Sequence, residues 1–116
     1  MITSDHALYG IIGNPIKHSL SPLMHNAAFQ ALEVEAEYKL FPLEEIELDT
    51  FFSDLHREDS PIFGLNVTVP YKEKVVPYMD SVSPLVEKIG AVNTIVVTKK
   101  RKLVGRVFID IFDREA

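Results

Sequence analysis

The chain is predicted to fold as a three-layer α/β domain, a mixed and mostly parallel sheet with helices on both faces. Three observations predict it. Strand-like and helix-like segments alternate along the sequence, the order that builds a parallel sheet through helical crossovers. The helix candidates are punctuated by Ser-Pro openings or by Pro and Gly stops. At 116 residues with 47% apolar and 25% charged composition, the chain suffices for one core and is too short for a second domain.

Leu8 to Ile12 is a short buried strand, broken by Gly13, Asn14 and Pro15. A helix runs from about Pro22 to Leu32, with Ser21 as N-cap, Pro22 at the favoured first position, and Leu23, Ala27, Ala28, Ala31 and Leu32 as its apolar face. Glu37 to Phe41 is a second strand with Tyr38 and Leu40 on one side, closed by Pro42. Between Leu43 and Leu55, the residues Leu43, Ile46, Phe51, Phe52 and Leu55 recur at near-helical spacing, with Glu44, Glu45 and Glu47 enriching the first turns. Asn66 to Val69 alternates polar and β-branched residues and reads as the third strand, ended by Pro70. Tyr71 to Val76 is a short helix stopped by Pro77, and Pro84 to Ile89 is another, with Ser83 before it and Gly90 after it. Val92 to Thr98 and Leu103 to Val107 close the domain as a hairpin that adds one antiparallel strand.

Composition excludes several classes. No apolar run approaches the ~20 residues that span a bilayer, and the polar N-terminus lacks the pattern of a secretion signal. Zero cysteines leave no disulfide framework and suit a reducing compartment, so cytoplasm is the expected location. A net charge of −5 argues against nucleic-acid binding, which needs clustered cations. The one basic run, Lys99 to Lys102, lies between the two strands of the hairpin and reads as a solvated turn.

Three places carry candidate chemistry. Lys72 falls just past the C-terminal edge of the third strand, where α/β sheets bind ligands, although a surface lysine opening a helix has the same pattern. Ser19 and Ser21 flank Leu20 where the first helix presents unpaired N–H groups and positive dipole, a place for a carboxylate or phosphate; capping accounts for Ser21 but not for Ser19. Asn93 sits early in a strand, where an amide is uncommon; it can serve a ligand or pair with nearby backbone. Gly10-Ile-Ile-Gly13 falls short of a dinucleotide loop, since Asn14 to Lys17 intervene and no third glycine follows. No His-Glu-x-x-His or cysteine pattern marks a metal, and no Gly-x-Ser-x-Gly marks a nucleophile.

Gly13-Asn-Pro-Ile-Lys-His-Ser-Leu-Ser-Pro-Leu-Met-His-Asn26, Asn66-Val-Thr-Val-Pro-Tyr-Lys-Glu73 and Gly90-Ala-Val-Asn-Thr94, in this order and spacing, resemble the substrate-binding domain of the shikimate dehydrogenase family over roughly residues 8 to 105. The resemblance implies binding of shikimate, 3-dehydroshikimate or quinate. It implies that Ser19 and Ser21 hold the substrate carboxylate, that Thr68 and Asn93 bond ring hydroxyls, and that Lys72 is the acid–base group beside the carbonyl reduced with NADPH.

Two departures qualify what the resemblance implies. Family enzymes are about twice this length, the remainder being an NADP-binding domain, so no cofactor is expected for this chain alone. After Gly105 the family continues to an aspartate that partners the lysine; here Ile109 stands in its place and Asp110 is one residue late, which on a strand turns it to the opposite face. The expected organisation is therefore a substrate-binding domain over 1–105, a divergent tail over 106–116, and no NADP-binding domain. A fragment, a truncated product and a standalone binder are three open origins. The chain alone is expected to lack turnover, and the alternative to a substrate domain is a non-catalytic module that binds a small molecule or self-associates through an exposed sheet edge, as a homodimer or larger species.

Overall fold

The computed structural model describes residues 7–16 and 21–108. Among them, six strands form one mixed sheet: β1 (Ala7–Gly13), β2 (Ala36–Pro42), β3 (Ile62–Val67), β4 (Ser81–Val82), β5 (Thr94–Val97) and β6 (Leu103–Arg106), in spatial order β2-β1-β3-β5-β6-β4. β1 pairs in parallel with β2 and β3, and β4 with β6; β5 runs antiparallel to both its neighbours, so it alone opposes the common direction. That is the mostly parallel sheet with one antiparallel strand read from the sequence.

Three helices pack on it: α1 (Ser21–Ala31), α2 (Leu48–Leu55) and α3 (Pro84–Ile89). Ile12, Leu65, Val67, Ile95 and Leu103 face a core completed by Leu48, Phe52 and Leu55 of α2, by Tyr71 and Val75 of the turns after β3, and by Val86 of α3. Alternation turns Tyr9 and Tyr38 to the opposite face, where α1 lays His25 on Tyr38 at 4.3 Å between ring centres and Phe29 against Tyr9 at 5.9 Å. Helices therefore cover both faces. Beside α1 the sheet is open, leaving an apolar groove of about 630 Å³ between Phe29, Val34, Phe63 and Val96. No helix of the described residues is long and apolar enough to cross a membrane.

α3 follows its sequence signals residue by residue. Pro84 starts it, the Ser83 hydroxyl accepts from Val86 N–H at 3.4 Å, and Gly90 ends it at φ 78°, in the left-handed region. Elsewhere local structure departs from expectation. β3 ends at Val67, and Val69, which the alternation placed in the strand, is 62% exposed. Tyr71 to Val75 forms turns rather than a helix, and Pro77 does not stop the segment but lies within the 3-10 turn Val76–Tyr78, where its missing N–H costs nothing. In the second helical region the core is reached by Leu48; Ile46, counted on the apolar face, lies in the preceding 3-10 turn and is 89% exposed.

Four residues of the predicted apolar face of α1 are likewise turned outward: Ala27, Ala28 and Ala31 are exposed and Leu32 is 73% exposed, while the Leu23 side chain lies outside the described residues. Polar chemistry orients this helix instead. Asn26 Nδ2 donates to Tyr38 O at 3.1 Å and Tyr38 N–H donates to Asn26 Oδ1 at 2.8 Å. Because β2 is an edge strand, this amide takes the place of a neighbouring strand at Tyr38 and fixes which side of α1 meets the sheet.

The basic run is only partly a solvated turn. Lys99, Lys100 and Lys102 are exposed, but Arg101, at φ 63°, is 6% exposed. Its Nε and Nη2 donate to Leu55 O at 3.0 and 2.6 Å, and Nη2 also to Ile62 O at 2.9 Å. The guanidinium lies 5.0 Å from the Phe63 ring centre, and Phe63 is the additional residue where the β1–β3 register shifts. The hairpin turn is thus fastened to the C-terminus of α2, a favourable end for a cation.

A second fastening titrates. Asp80 Oδ2 accepts from Leu103 N–H at 2.7 Å and meets His56 Nε2 at 2.9 Å. The Leu103 amide, opposed by desolvation and helped by His56, holds the Asp80 carboxyl below its ordinary range. A depressed carboxylate stabilises the fold fully above its unfolded pKa, and that contribution is lost as pH falls through the folded one. Asp80→Asn is therefore expected to lower the urea midpoint near pH 7 and to narrow its gap from the parent chain as acid is added from about pH 4 downward. Parallel midpoint–pH curves for the two proteins would contradict this.

Candidate functional site at the carboxyl edge of the sheet

The parallel strands β1 and β3 end side by side, and the geometry there starts from a glycine. A Cβ on Gly13 would lie 2.4 Å from Thr68 Cγ2 and 2.9 Å from Val69 O, so only glycine lets the loop leaving β1 lie against the loop leaving β3. Thr68 N–H donates to Ile12 O at 2.9 Å and Asn14 N–H to Val69 O at 3.1 Å. The Asn14 side chain reaches the other way, donating to Leu43 O at 3.3 Å and Glu44 Oε2 at 2.9 Å. Asn14 thereby ties the exits of β1, β2 and β3 together. Its place in the quoted motif was visible in the sequence, but this role was not.

Past Thr68 the chain reverses, with Tyr71 N–H donating to Thr68 O at 3.0 Å. The Tyr71 hydroxyl donates to Leu43 O at 2.6 Å. Val92 N–H donates to Lys72 O at 2.8 Å and Val67 N–H to Asn93 O at 2.9 Å. These bonds bring Thr68, Lys72 and Asn93 to one edge of the sheet, where β5, being antiparallel, begins as β3 ends. Lys72 is half-buried, and among the described residues its ammonium has no hydrogen-bond or ion-pair partner.

α1 starts at Ser21, after the loop that leaves this same edge. The Ser21 side chain and the whole of Ser19 lie outside the described residues, as do Ile109 and Asp110.

Asn93 pairs with backbone, the second of the two roles open to it. Its Nδ2 donates to Phe108 O at 2.7 Å, and its Oδ1 accepts from Phe108 N–H at 3.0 Å and from the Thr94 hydroxyl at 3.0 Å. The partner was not legible locally, because the β5–β6 register, with Thr94 opposite Arg106, brings Phe108 there.

A free ammonium, a threonine and an asparagine on one edge suit a small hydroxylated anion. The apolar groove on the open sheet face has no lysine or arginine in its lining, so it lacks the ammonium or guanidinium that such an anion would pair with. Nor do the described residues fit a dinucleotide cofactor. Gly10 lies inside β1, where an added Cβ would be 2.4 Å from Lys39 O, and Gly13 is packed on Thr68, so neither glycine lines a loop open to a pyrophosphate.

The chain is 50% identical over 98 residues to the NADP(+) shikimate dehydrogenase of Bacillus cytotoxicus, covering 84% of this chain and 34% of that protein. Shikimate 5-dehydrogenase of Listeria monocytogenes, solved in complex with shikimate and NAD, superposes with a TM-score of 0.81 at 38% identity, over 91% of this chain and 36% of that one. Shikimate dehydrogenase of Aquifex aeolicus gives 0.80 at 39% identity, over 91% and 39%. The chain thus spans about a third of the length of the relatives it matches. The profile described as the shikimate dehydrogenase substrate binding domain matches residues 11–95, which is most of the ordered sheet together with α1, α2 and α3, and the chain belongs to that family.

Proposed function

We propose that this domain captures shikimate or 3-dehydroshikimate at the carboxyl edge of its sheet. Ser19 and Ser21, at the start of α1, hold the carboxylate; Thr68 and Asn93 bond ring hydroxyls; Lys72 is the acid–base group. The observation that carries this reading is the meeting, on one sheet edge, of Thr68, Asn93 and a Lys72 ammonium that has no partner among the described residues. The solved Listeria relative that contains shikimate supports it.

The chemistry follows from the groups. Unpaired N–H groups and positive dipole at a helix start favour an anion, and serine hydroxyls add donors. An ammonium with no carboxylate partner can direct its proton to a substrate oxygen and take it back in the reverse direction. Hydride is the contribution of a nicotinamide cofactor, named as NADP in the Bacillus relative; the described residues provide no cradle for it. The proposed organisation is a substrate domain over 1–105 and a divergent tail over 106–116, located in the cytoplasm, with no turnover by the chain alone.

Self-association through a sheet edge has less support. The backbone of Tyr38 in edge strand β2 is already bonded to Asn26, and β4 at the other edge is two residues long.

An NMR titration of the labelled chain with shikimate tests the reading. Saturable shifts are expected, with Ser21→Ala and Lys72→Met each weakening binding about tenfold, the worth of one charge-assisted hydrogen bond. Absence of saturation, or wild-type affinity in both variants, would reject it. Steady oxidation of NADPH with 3-dehydroshikimate by this chain alone would reject the proposed lack of turnover.

A further inference from the structure

We propose that Asn93 meets its ligand as a single N–H donor of fixed direction, and that the backbone of Phe108 fixes it. This rests on the shikimate-binding reading and adds to it the polarity of one contact.

The argument is one of valence. A side-chain amide has two N–H donors and an oxygen with two lone pairs. In Asn93 the oxygen accepts from Phe108 N–H at 3.0 Å and from the Thr94 hydroxyl at 3.0 Å, which uses both lone pairs. One N–H donates to Phe108 O at 2.7 Å. Among the described residues, one N–H is left over. Exchanging the amide's oxygen and nitrogen would set donor against the Phe108 N–H and acceptor against its carbonyl, so the network itself fixes the orientation.

The residue is held from its main chain as well. Asn93 N–H donates to Arg106 O at 3.0 Å, and Asn93 O accepts from Val67 N–H at 2.9 Å. The amide therefore stays in place unless bonds to β3, β6 and Phe108 are broken. A ligand atom that meets Asn93 is an acceptor, a hydroxyl or carbonyl oxygen. A hydroxyl placed there sends its own proton to some other group. The segment that leaves β6 is thus part of the binding apparatus through its backbone. It does not compete with ligand for Asn93, because the remaining N–H serves ligand with the Phe108 bonds intact. The Phe108 ring, 63% exposed, has no share in the clamp.

The side-chain amide protons of Asn93 in the ¹⁵N-labelled chain report this directly. In the free protein one proton is expected to be protected from exchange with solvent and its geminal partner not. On adding shikimate, the unprotected proton is expected to shift while the protected one stays. Phe108→Pro deletes the N–H that holds Oδ1, whereas Phe108→Ala keeps both backbone groups and serves as its reference. The proline variant is expected to bind shikimate at least about fivefold more weakly than the alanine variant, in keeping with one mispositioned hydrogen bond.

Equal exchange of both Asn93 protons in the free protein would overturn the proposal whether or not shikimate binds. Shifts at Ser21 and Lys72 with none at the unprotected Asn93 proton would overturn it while leaving shikimate binding established. So would tighter binding by the proline variant, which would mean that the segment obstructs the ligand. No shift anywhere would overturn the binding reading, and this inference with it.

Discussion

Arg101→Met is expected to destabilise the domain by about 2–3 kcal/mol, lowering the thermal midpoint by on the order of 10 °C. The sign is not obvious, because burying a cation is costly and an apolar replacement often stabilises. Arg101 has no carboxylate partner among the described residues, and its Nη1 is buried without an acceptor. Burial accordingly pushes the guanidinium below its ordinary range. What decides the balance is what remains after substitution. Methionine fills the space over Phe63 but leaves Leu55 O and Ile62 O without the donors they now have, and a buried carbonyl stripped of its donor costs about 1–3 kcal/mol.

Arg101→Gly separates the two contributions. It forfeits the same bonds but relieves a left-handed φ of 63°, worth about 1 kcal/mol, so its loss should lie below that of methionine if packing against Phe63 is minor. Calorimetric melting of the parent and both variants checks the order. A methionine variant that melts at or above the parent temperature would show that desolvation outweighs the bonds.

The elements legible in the sequence are those whose signals are local. Ser83, Pro84 and Gly90 bound α3 because capping and a left-handed stop are decided within a few residues. The same holds for the placement of Lys72 beyond β3, since Pro70 cannot join a ladder. The misread residues are those whose partner is remote. Arg101 looks like its lysine neighbours until the turn's geometry sends it back toward Leu55, 46 positions earlier. α1 carries an alanine-rich stripe, yet Asn26 bonded to an edge strand decides its orientation. For Asn93 the sequence showed that the amide needed a partner; only strand register shows that the partner is Phe108. At the candidate site, the positions of Thr68 and Lys72 past β3 were readable because strand ends are punctuated by Gly and Pro.

Gly13→Ala is expected to have the largest effect at the site, lowering stability by about 1–3 kcal/mol and weakening the proposed shikimate binding by about tenfold. Its Cβ would be 2.4 Å from Thr68 Cγ2, 2.9 Å from Val69 O and 3.0 Å from Ile16 Cγ2. No conformational strain of glycine itself enters, since Gly13 is strand backbone; the cost is space alone. The threonine methyl can turn away, but Val69 O is main chain and accepts from Asn14 N–H at 3.1 Å, so relief there must separate the two loops that build the site. A double substitution distinguishes these routes. Thr68→Ser removes Cγ2 and keeps the hydroxyl proposed to meet substrate. If the methyl contact dominates, Gly13→Ala should cost at least about 1 kcal/mol less in the Thr68→Ser background than in the parent, a coupling within the usual range for touching residues, and most of the affinity should return. Equal costs in both backgrounds, by urea midpoints and shikimate titration, would place the damage at Val69 instead. It would also mean that the spacing of the two loops, rather than the pose of Thr68, governs binding.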